Sequence, residues 1–366
     1  MKFQIDKKSF EEQLLIVSRA INSKTTLPVL SNVLLKVENG NLFLTTTNLE
    51  IAIETSVPVI ESEDGALTVP VKLLLNYISL LPQGIVFVNV LEQTSLHISC
   101  DSSDTTIKGI SFEEFPLIPK ANEELIFQIH LKTFYNALSQ TVFAAAIDER
   151  RPVLAGVLLK GVEKTLTLAA TDSYRLAEKK IHLNEDVNCS VIIPVQTAIE
   201  LIRIIAKSEI ENISIQASKN QIIFLVGSVT LISRLIEGVY PDYEKIIPTS
   251  SETIVSIHPV LDFVTLLKRV NLFAQEHSNG IRFSINSKGL ECIADKSQTG
   301  SEKAFFPCTV EGPDKEISFN AEFFIDALDN MDGDLVTLGV NTSLTPGVLK
   351  NPKDETYTHI VMPLKI

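Results

Sequence analysis

Short apolar or alternating runs punctuate the whole chain. IVFVNV (85–90), ISIQ (213–216) and IIFLV (222–226) have the length and β-branched content of strands. Between such runs, apolar residues recur at helical spacing: Phe10, Leu14, Val17 and Ile21; then Phe134, Leu138, Val142 and Ala145; then Ala198, Leu201, Ile202 and Ile205. The last of these series starts just after Pro194, where a missing N–H costs nothing because the first helical donors have no partner in any case. The order strand, helix, several strands, helix, several strands predicts an α+β chain. Strand outweighs helix, and about six short helices are expected.

That order repeats. Phe3/Phe127, Gln4/Gln128, Ile5/Ile129, Phe10/Phe134, Leu44/Leu168 and Pro70/Pro194 are all 124 residues apart. A single offset held from Phe3 to Pro70 marks an internal repeat. A third copy opens at Val255-Ser256-Ile257, continues through GLECIAD and ISFNAEFFIDAL, and drifts in offset by a few residues. Three domains follow, at 1–120, 121–248 and 249–366. Their boundaries fall in Pro-containing polar stretches near Pro119–Ala121 and Pro248–Ser250.

Charge complicates any reading in terms of nucleic acid. Lys and Arg number 32 against 45 Asp and Glu, a net charge of −13. Sequence-independent DNA affinity comes from cations neutralising phosphates, so tight free binding is not expected, although a basic stripe can sit on an acidic body. Cys100, Cys189, Cys292 and Cys308 lack paired spacing and suit reduced thiols. The N-terminus has no apolar signal core, and no apolar run approaches the roughly 20 residues that span a bilayer. A soluble, cytoplasmic protein is expected.

Searches for chemistry return little. The sequence contains no GxxxxGK[ST], GxGxxG or GxSxG. The six histidines (97, 130, 182, 258, 277 and 359) form no HxxxH or HExxH pair. No metal or cofactor is expected, and no catalytic residue is assigned. Asp172, with Arg175 three residues on, is the most enzyme-like feature. It could be an acid–base pair, or Asp172 could bond the local backbone in a turn. The first copy has Asn48 at the equivalent place, which can make that turn but cannot act as a carboxylate base. A repeated scaffold without a convergent polar constellation reads as a binding or structural protein.

Five segments carry a resemblance: TLPVLSNVLL (26–35), RPVLAGVLL (151–159), AATDSYRLA (169–177), VYPDYEKIIP (239–248) and the terminal IVMPLKI. In order and position they resemble the bacterial sliding clamps, the β subunits of DNA polymerase III. The resemblance implies two protomers joined head to tail into a ring of six domains, each domain with two helices and antiparallel sheets. Duplex DNA would pass through the ring without sequence recognition. The implied partners are DNA polymerase III, other proteins with clamp-binding motifs and a clamp loader; no membrane is involved.

Carried over by matched motif, a peptide pocket comprises Thr171, Tyr174, Arg175 and Leu176, then Pro241, Lys245 and Ile246, then Val361, Met362, Pro363 and Leu364. An adjoining subsite comprises Arg151, Val153, Leu154, Asn320, Phe323, Leu344 and Pro346. Mostly apolar side chains with a soft methionine suit varied peptides. Basic residues off the helices' apolar faces (Lys72, Lys132, Arg203, Lys207 and Lys268, with Lys24 just beyond the first helix) are candidates to face DNA, or are ordinary solvated positions. Thr105 and Ile107 would form one protomer edge and Leu272 and Phe273 the other. Ser173-Tyr174 departs from the family's frequent Gly-His, and Lys365 from Arg. A repeat-built scaffold that binds proteins but not DNA is the alternative reading.

Overall fold

The protein is described by a computed structural model covering residues 1–21, 27–92, 94–118, 124–148, 150–298 and 300–365. Six α-helices occur among the described residues: α1 (Lys7–Val17), α2 (Val71–Leu80), α3 (Leu131–Val142), α4 (Val195–Ile205), α5 (Val260–Ala274) and α6 (Ala321–Asn330). Each sequence repeat holds two of them. The strands outnumber the helices and pair antiparallel throughout their ladders.

Side-chain caps mark the starts of α1 and α6. Asp6 accepts from Ser9 N at 3.0 Å ahead of α1, and Asn320 accepts from Glu322 N at 2.9 Å ahead of α6. Each satisfies a donor that the first turn leaves open. α1 buries Phe10, Leu14 and Val17, as the spacing predicts. Ile21 lies beyond it, because the chain tightens into a 3₁₀ turn at Ser18–Ala20. On α4, Ala198, Leu201 and Ile205 are buried, while Ile204 rather than Ile202 completes the stripe. Lys7 is also buried; its ammonium reaches Glu11 at 2.6 Å and the Ser79 carbonyl at 3.2 Å, which offsets its desolvation.

Two compact units divide the chain: residues 1–132 with 199–235, and residues 133–198 with 236–366. The first unit has a five-stranded sheet, in the order Ile60–Glu63, Lys2–Asp6, Ile85–Leu91, Ser95–Cys100, Ser103–Lys108. Its eight-stranded sheet joins the first repeat to the second where Val229–Arg234 pairs with Ile51–Pro58. The second unit has a nine-stranded sheet in which Arg175–His182 pairs with Asp354–Val361, joining the second repeat to the third. A four-stranded sheet completes it. There α5 and α6 pack through Phe263, Phe283, Phe319 and Phe324, with ring centroids 4.9–6.3 Å apart. Each such buried ring is worth about 3–5 kcal/mol against truncation to Ala. Because sheets run on from repeat to repeat, compactness does not follow the repeat boundaries.

Candidate peptide-binding site

The segment Thr171–Leu176 turns the chain between two strands of the nine-stranded sheet. Thr171 Oγ donates to the Arg175 carbonyl at 2.6 Å and accepts from Ser173 N at 3.1 Å. One Asp172 oxygen accepts the backbone N–H groups of Tyr174 and Arg175, both at 2.9 Å; the other accepts Arg175 Nε at 3.1 Å. The carboxylate is therefore committed to the turn and to its own arginine. Ser173 takes φ 79°, a left-handed conformation that the surrounding hydrogen bonds hold in place.

Arg175 is the centre of the site. Besides Asp172 it reaches Asp326 on α6 at 2.5 Å, and its guanidinium lies over the Phe323 ring at 4.7 Å and the Phe143 ring at 5.7 Å. A planar cation between aromatic faces and two carboxylates is held in one orientation. Behind it, His359 stacks on Phe143 at 5.6 Å and is fully buried. Neither of its ring nitrogens has a hydrogen-bond partner among the described residues. Burial, with Arg175 nearby, pushes its pKa down to about 3, so the imidazole is neutral.

The apolar part gathers around Leu176. With Leu158, Ala169, Ile192, Tyr243 and Ile360 it forms a buried cluster, and Val153, Tyr240 and Ile247 pack on it half-buried. Tyr243 donates to Glu178 at 2.9 Å. Burial raises the Tyr240 and Tyr243 hydroxyls above their usual range, and for Tyr243 the Glu178 carboxylate adds to this. Gly238 admits Val153: a Cβ there would lie 2.6 Å from Val153 Cγ1, and its φ of 135° is one that side chains rarely adopt.

The remaining residues carried over by motif fall as follows. Val361 is buried opposite Arg175, and Met362 N donates to the Tyr174 carbonyl at 2.8 Å. Arg151 donates to Ser173 Oγ at 3.0 Å, and Leu154 is buried beside it in a short 3₁₀ turn. Tyr174 is 63% exposed, so its ring faces solvent. Pro241, Lys245 and Ile246 are exposed, with Lys245 paired to Asp242 at 2.7 Å. Phe323 lies under Arg175, while Asn320 is occupied with capping α6 and with the Ser278 carbonyl at 3.2 Å. Leu344 is exposed and Pro346 half-buried. Met362 and Pro363 are half-buried; Leu364 lines a small cleft with His277, Gly280 and Asp295.

Tyr240, Phe143, Asp326 and His359 also join this site, and none is a candidate from the sequence. Tyr240 sits inside VYPDYEKIIP and was available there; the other three hold Arg175 or pack beneath it, and no local pattern points to them.

Residues 1–119, 128–242 and 244–365 match, in turn, the N-terminal, central and C-terminal domains of the DNA polymerase III beta subunit. The chain belongs to that family. It is 33% identical to the beta sliding clamp of Staphylococcus aureus over all of its own length and 99% of the relative's. The DNA polymerase sliding clamp of Bacillus subtilis superposes with a TM-score of 0.95 at 27% identity, covering 100% of this chain and 99% of that one. A sliding clamp of Pseudomonas aeruginosa bound to griselimycin gives 0.95 at 26% identity, covering all of both chains. The function of the chain is accordingly that of a DNA sliding clamp of DNA polymerase III, and the DNA-independent scaffold is not favoured.

For the clamp's other candidate surfaces, Lys24 lies outside the described residues. Lys72, Lys132, Arg203, Lys207 and Lys268 are all exposed. Arg203 pairs with Glu200 at 2.6 Å and Lys268 with Asp329 at 3.1 Å, while Lys207 lies just past the end of α4. Thr105 and Ile107 are on Ser103–Lys108, an edge strand with one side of its backbone unpaired. Thr105 is half-buried, and Ile107 is turned into the chain's own core. On α5, Leu272 is 62% exposed and Phe273 half-buried. No helix among the described residues is long and apolar enough to cross a membrane.

Proposed function

We propose that two copies of this chain close head to tail into a ring around duplex DNA, as a cytoplasmic, non-catalytic processivity factor. Each copy contributes domains 1–120, 121–248 and 249–366. A head-to-tail contact either runs on as a filament or closes, and three quasi-equivalent domains per chain supply half a circle. The observation that carries this reading is the three successive family domains spanning the chain. The edge strand Ser103–Lys108, which carries Thr105, is the natural backbone donor for one side of the joint. The exposed Leu272 and the neighbouring Phe273 would cover the other side.

Lys72, Lys132, Arg203, Lys207 and Lys268, together with Lys24, face the DNA in this reading as weak phosphate contacts without sequence information. A ring retains DNA by topology, so an overall charge of −13 is compatible with the task. No cofactor or metal enters it.

The Tyr174–Arg175 site receives short linear peptides from DNA polymerase III, the loader and other clamp-binding proteins. An apolar cluster floored by Leu176 and bordered by Arg175, Arg151 and Met362 supports this use. The reading is tested by loading the protein on nicked circular DNA with an ATP-driven loader and passing the complex through gel filtration. Protein should remain on the circle and leave when the circle is cut once. Equal retention on circular and linear DNA would contradict it.

A further inference from the structure

The turn that shapes the Tyr174 site is built a second time, in the other compact unit. Thr47 Oγ donates to the Ile51 carbonyl at 3.0 Å and accepts from Leu49 N at 3.0 Å, as Thr171 does for Arg175 and Ser173. Asn48 Oδ1 accepts from Glu50 N at 3.0 Å and Ile51 N at 2.8 Å, as Asp172 does for Tyr174 and Arg175. Leu49 takes φ 75° where Ser173 takes 79°. The neighbouring strand closes the frame in the same way: Arg234 N donates to the Glu50 carbonyl at 2.9 Å, the counterpart of Met362 N on Tyr174 at 2.8 Å.

Around this second frame lies a groove of about 590 Å³, within the range of ligand-binding clefts. Its floor is Ala52, Ile232 and Ile118, packed on Ile223. At its rim Leu49 is 50% and Leu117 96% exposed, large apolar side chains left facing water. The backbone frame is shared, but the charges are rearranged. Ile51 stands where the other site has Arg175, Glu50 where it has Tyr174, and Arg234 where it has Met362. Arg175 is consumed by Asp172 and Asp326, whereas Arg234 is exposed and has no ion pair among the described residues. Among the described residues it is the one cation lining the groove.

We propose that this groove is a second peptide-binding site with its own specificity. It takes a short extended segment with two adjacent apolar side chains beside a carboxylate. The apolar pair lies on Ala52, Ile118 and Ile232, and the carboxylate meets Arg234. The shared turn and closing hydrogen bond argue for a peptide, and the exposed guanidinium argues for the acid. Glu50 disfavours a second acidic residue beyond the first. The inference rests on the reading of the Tyr174 site as a peptide pocket, and it gives each chain two sites that choose different partners.

The test follows the isoleucine methyl NMR signals of the full-length protein as acetyl-Leu-Phe-Asp-amide or acetyl-Leu-Phe-Lys-amide is added. Ile118 and Ile232 report the groove; Ile246 and Ile360 report the Tyr174 site. In a Met362→Ala/Leu364→Ala background, the Asp peptide should still shift Ile118 and Ile232 saturably. Arg234→Glu should weaken that binding at least tenfold and make the Lys peptide the tighter of the two, a reversal that mere structural damage would not produce. Silent Ile118 and Ile232 with responsive Ile246 and Ile360 in the wild type overturn the groove and leave the first pocket standing. The opposite pattern overturns the first pocket alone, and four silent methyls overturn both. Equal loss of both peptides in Arg234→Glu overturns the charge assignment.

Discussion

The Asp172 carboxylate accepts the backbone N–H of Arg175 at 2.9 Å, and Asn48 accepts that of Ile51 at 2.8 Å in the same kind of turn. An amide oxygen therefore does for one repeat what a carboxylate does for the other. Asp172→Asn should keep both backbone hydrogen bonds and lose only the charge of the contact with Arg175 Nε, so it should cost less in urea unfolding than the alanine variant. Asp172→Ala, which orphans two N–H groups, should cost about 1–3 kcal/mol. An acid–base role would instead make the asparagine variant as damaging to function as the alanine one.

His359 links the site to acid stability. Its folded pKa is about 3, against roughly 6.5 in an unfolded chain, because burial disfavours the imidazolium. Between those values the unfolded chain binds a proton that the folded chain refuses. Stability is thus complete above the unfolded pKa and falls as pH drops through that window, at up to about 1.4 kcal/mol per pH unit. His359→Phe should flatten the stability profile between about pH 6.5 and 5.5, above the range where most carboxylates titrate. Denaturant midpoints across that range measure the slope, and an unchanged slope would contradict the assignment.

Met362→Ala with Leu364→Ala should weaken peptide binding at the Tyr174 site at least tenfold without altering ring formation. Met362 joins the turn through its backbone N–H, which alanine keeps, and Leu364 lies in the cleft beside Gly280. Fluorescence anisotropy of a labelled peptide with each single variant separates the contributions of the two side chains.

Lys72→Glu combined with Lys132→Glu should lower the salt concentration at which circular DNA is lost, and should flatten the salt dependence of residual binding. Lys268→Glu should do less, because its ammonium is already shared with Asp329 at 3.1 Å. Such exposed pairs contribute only about 0–1 kcal/mol to stability, so folding should survive. DNA retention measured from 50 to 300 mM salt, a range on the order of that over which phosphate contacts are screened, separates the variants.

Local periodicity made much of the fold legible. Phe10, Leu14 and Val17 mark α1, and their counterparts Phe134 and Leu138, 124 residues on, mark α3. What the pattern does not contain is which strand meets which. Ser233 opposite Ile51 and Val361 opposite Arg175 are long-range pairings, and they join repeats that look separate in sequence. The site divides in the same way. Tyr174, Arg175 and Met362 lie in segments that resemble the family, so the sequence proposes them. Phe143 looks like the tail of a helix, and Asp326 like one acid among several on α6. Only folding brings both against one guanidinium.

Negative-stain electron microscopy of the purified protein without DNA asks whether two chains close into a ring. Two-chain closed rings with a central hole wide enough to pass a DNA duplex are expected. Single chains or open filaments at every protein concentration would contradict ring closure.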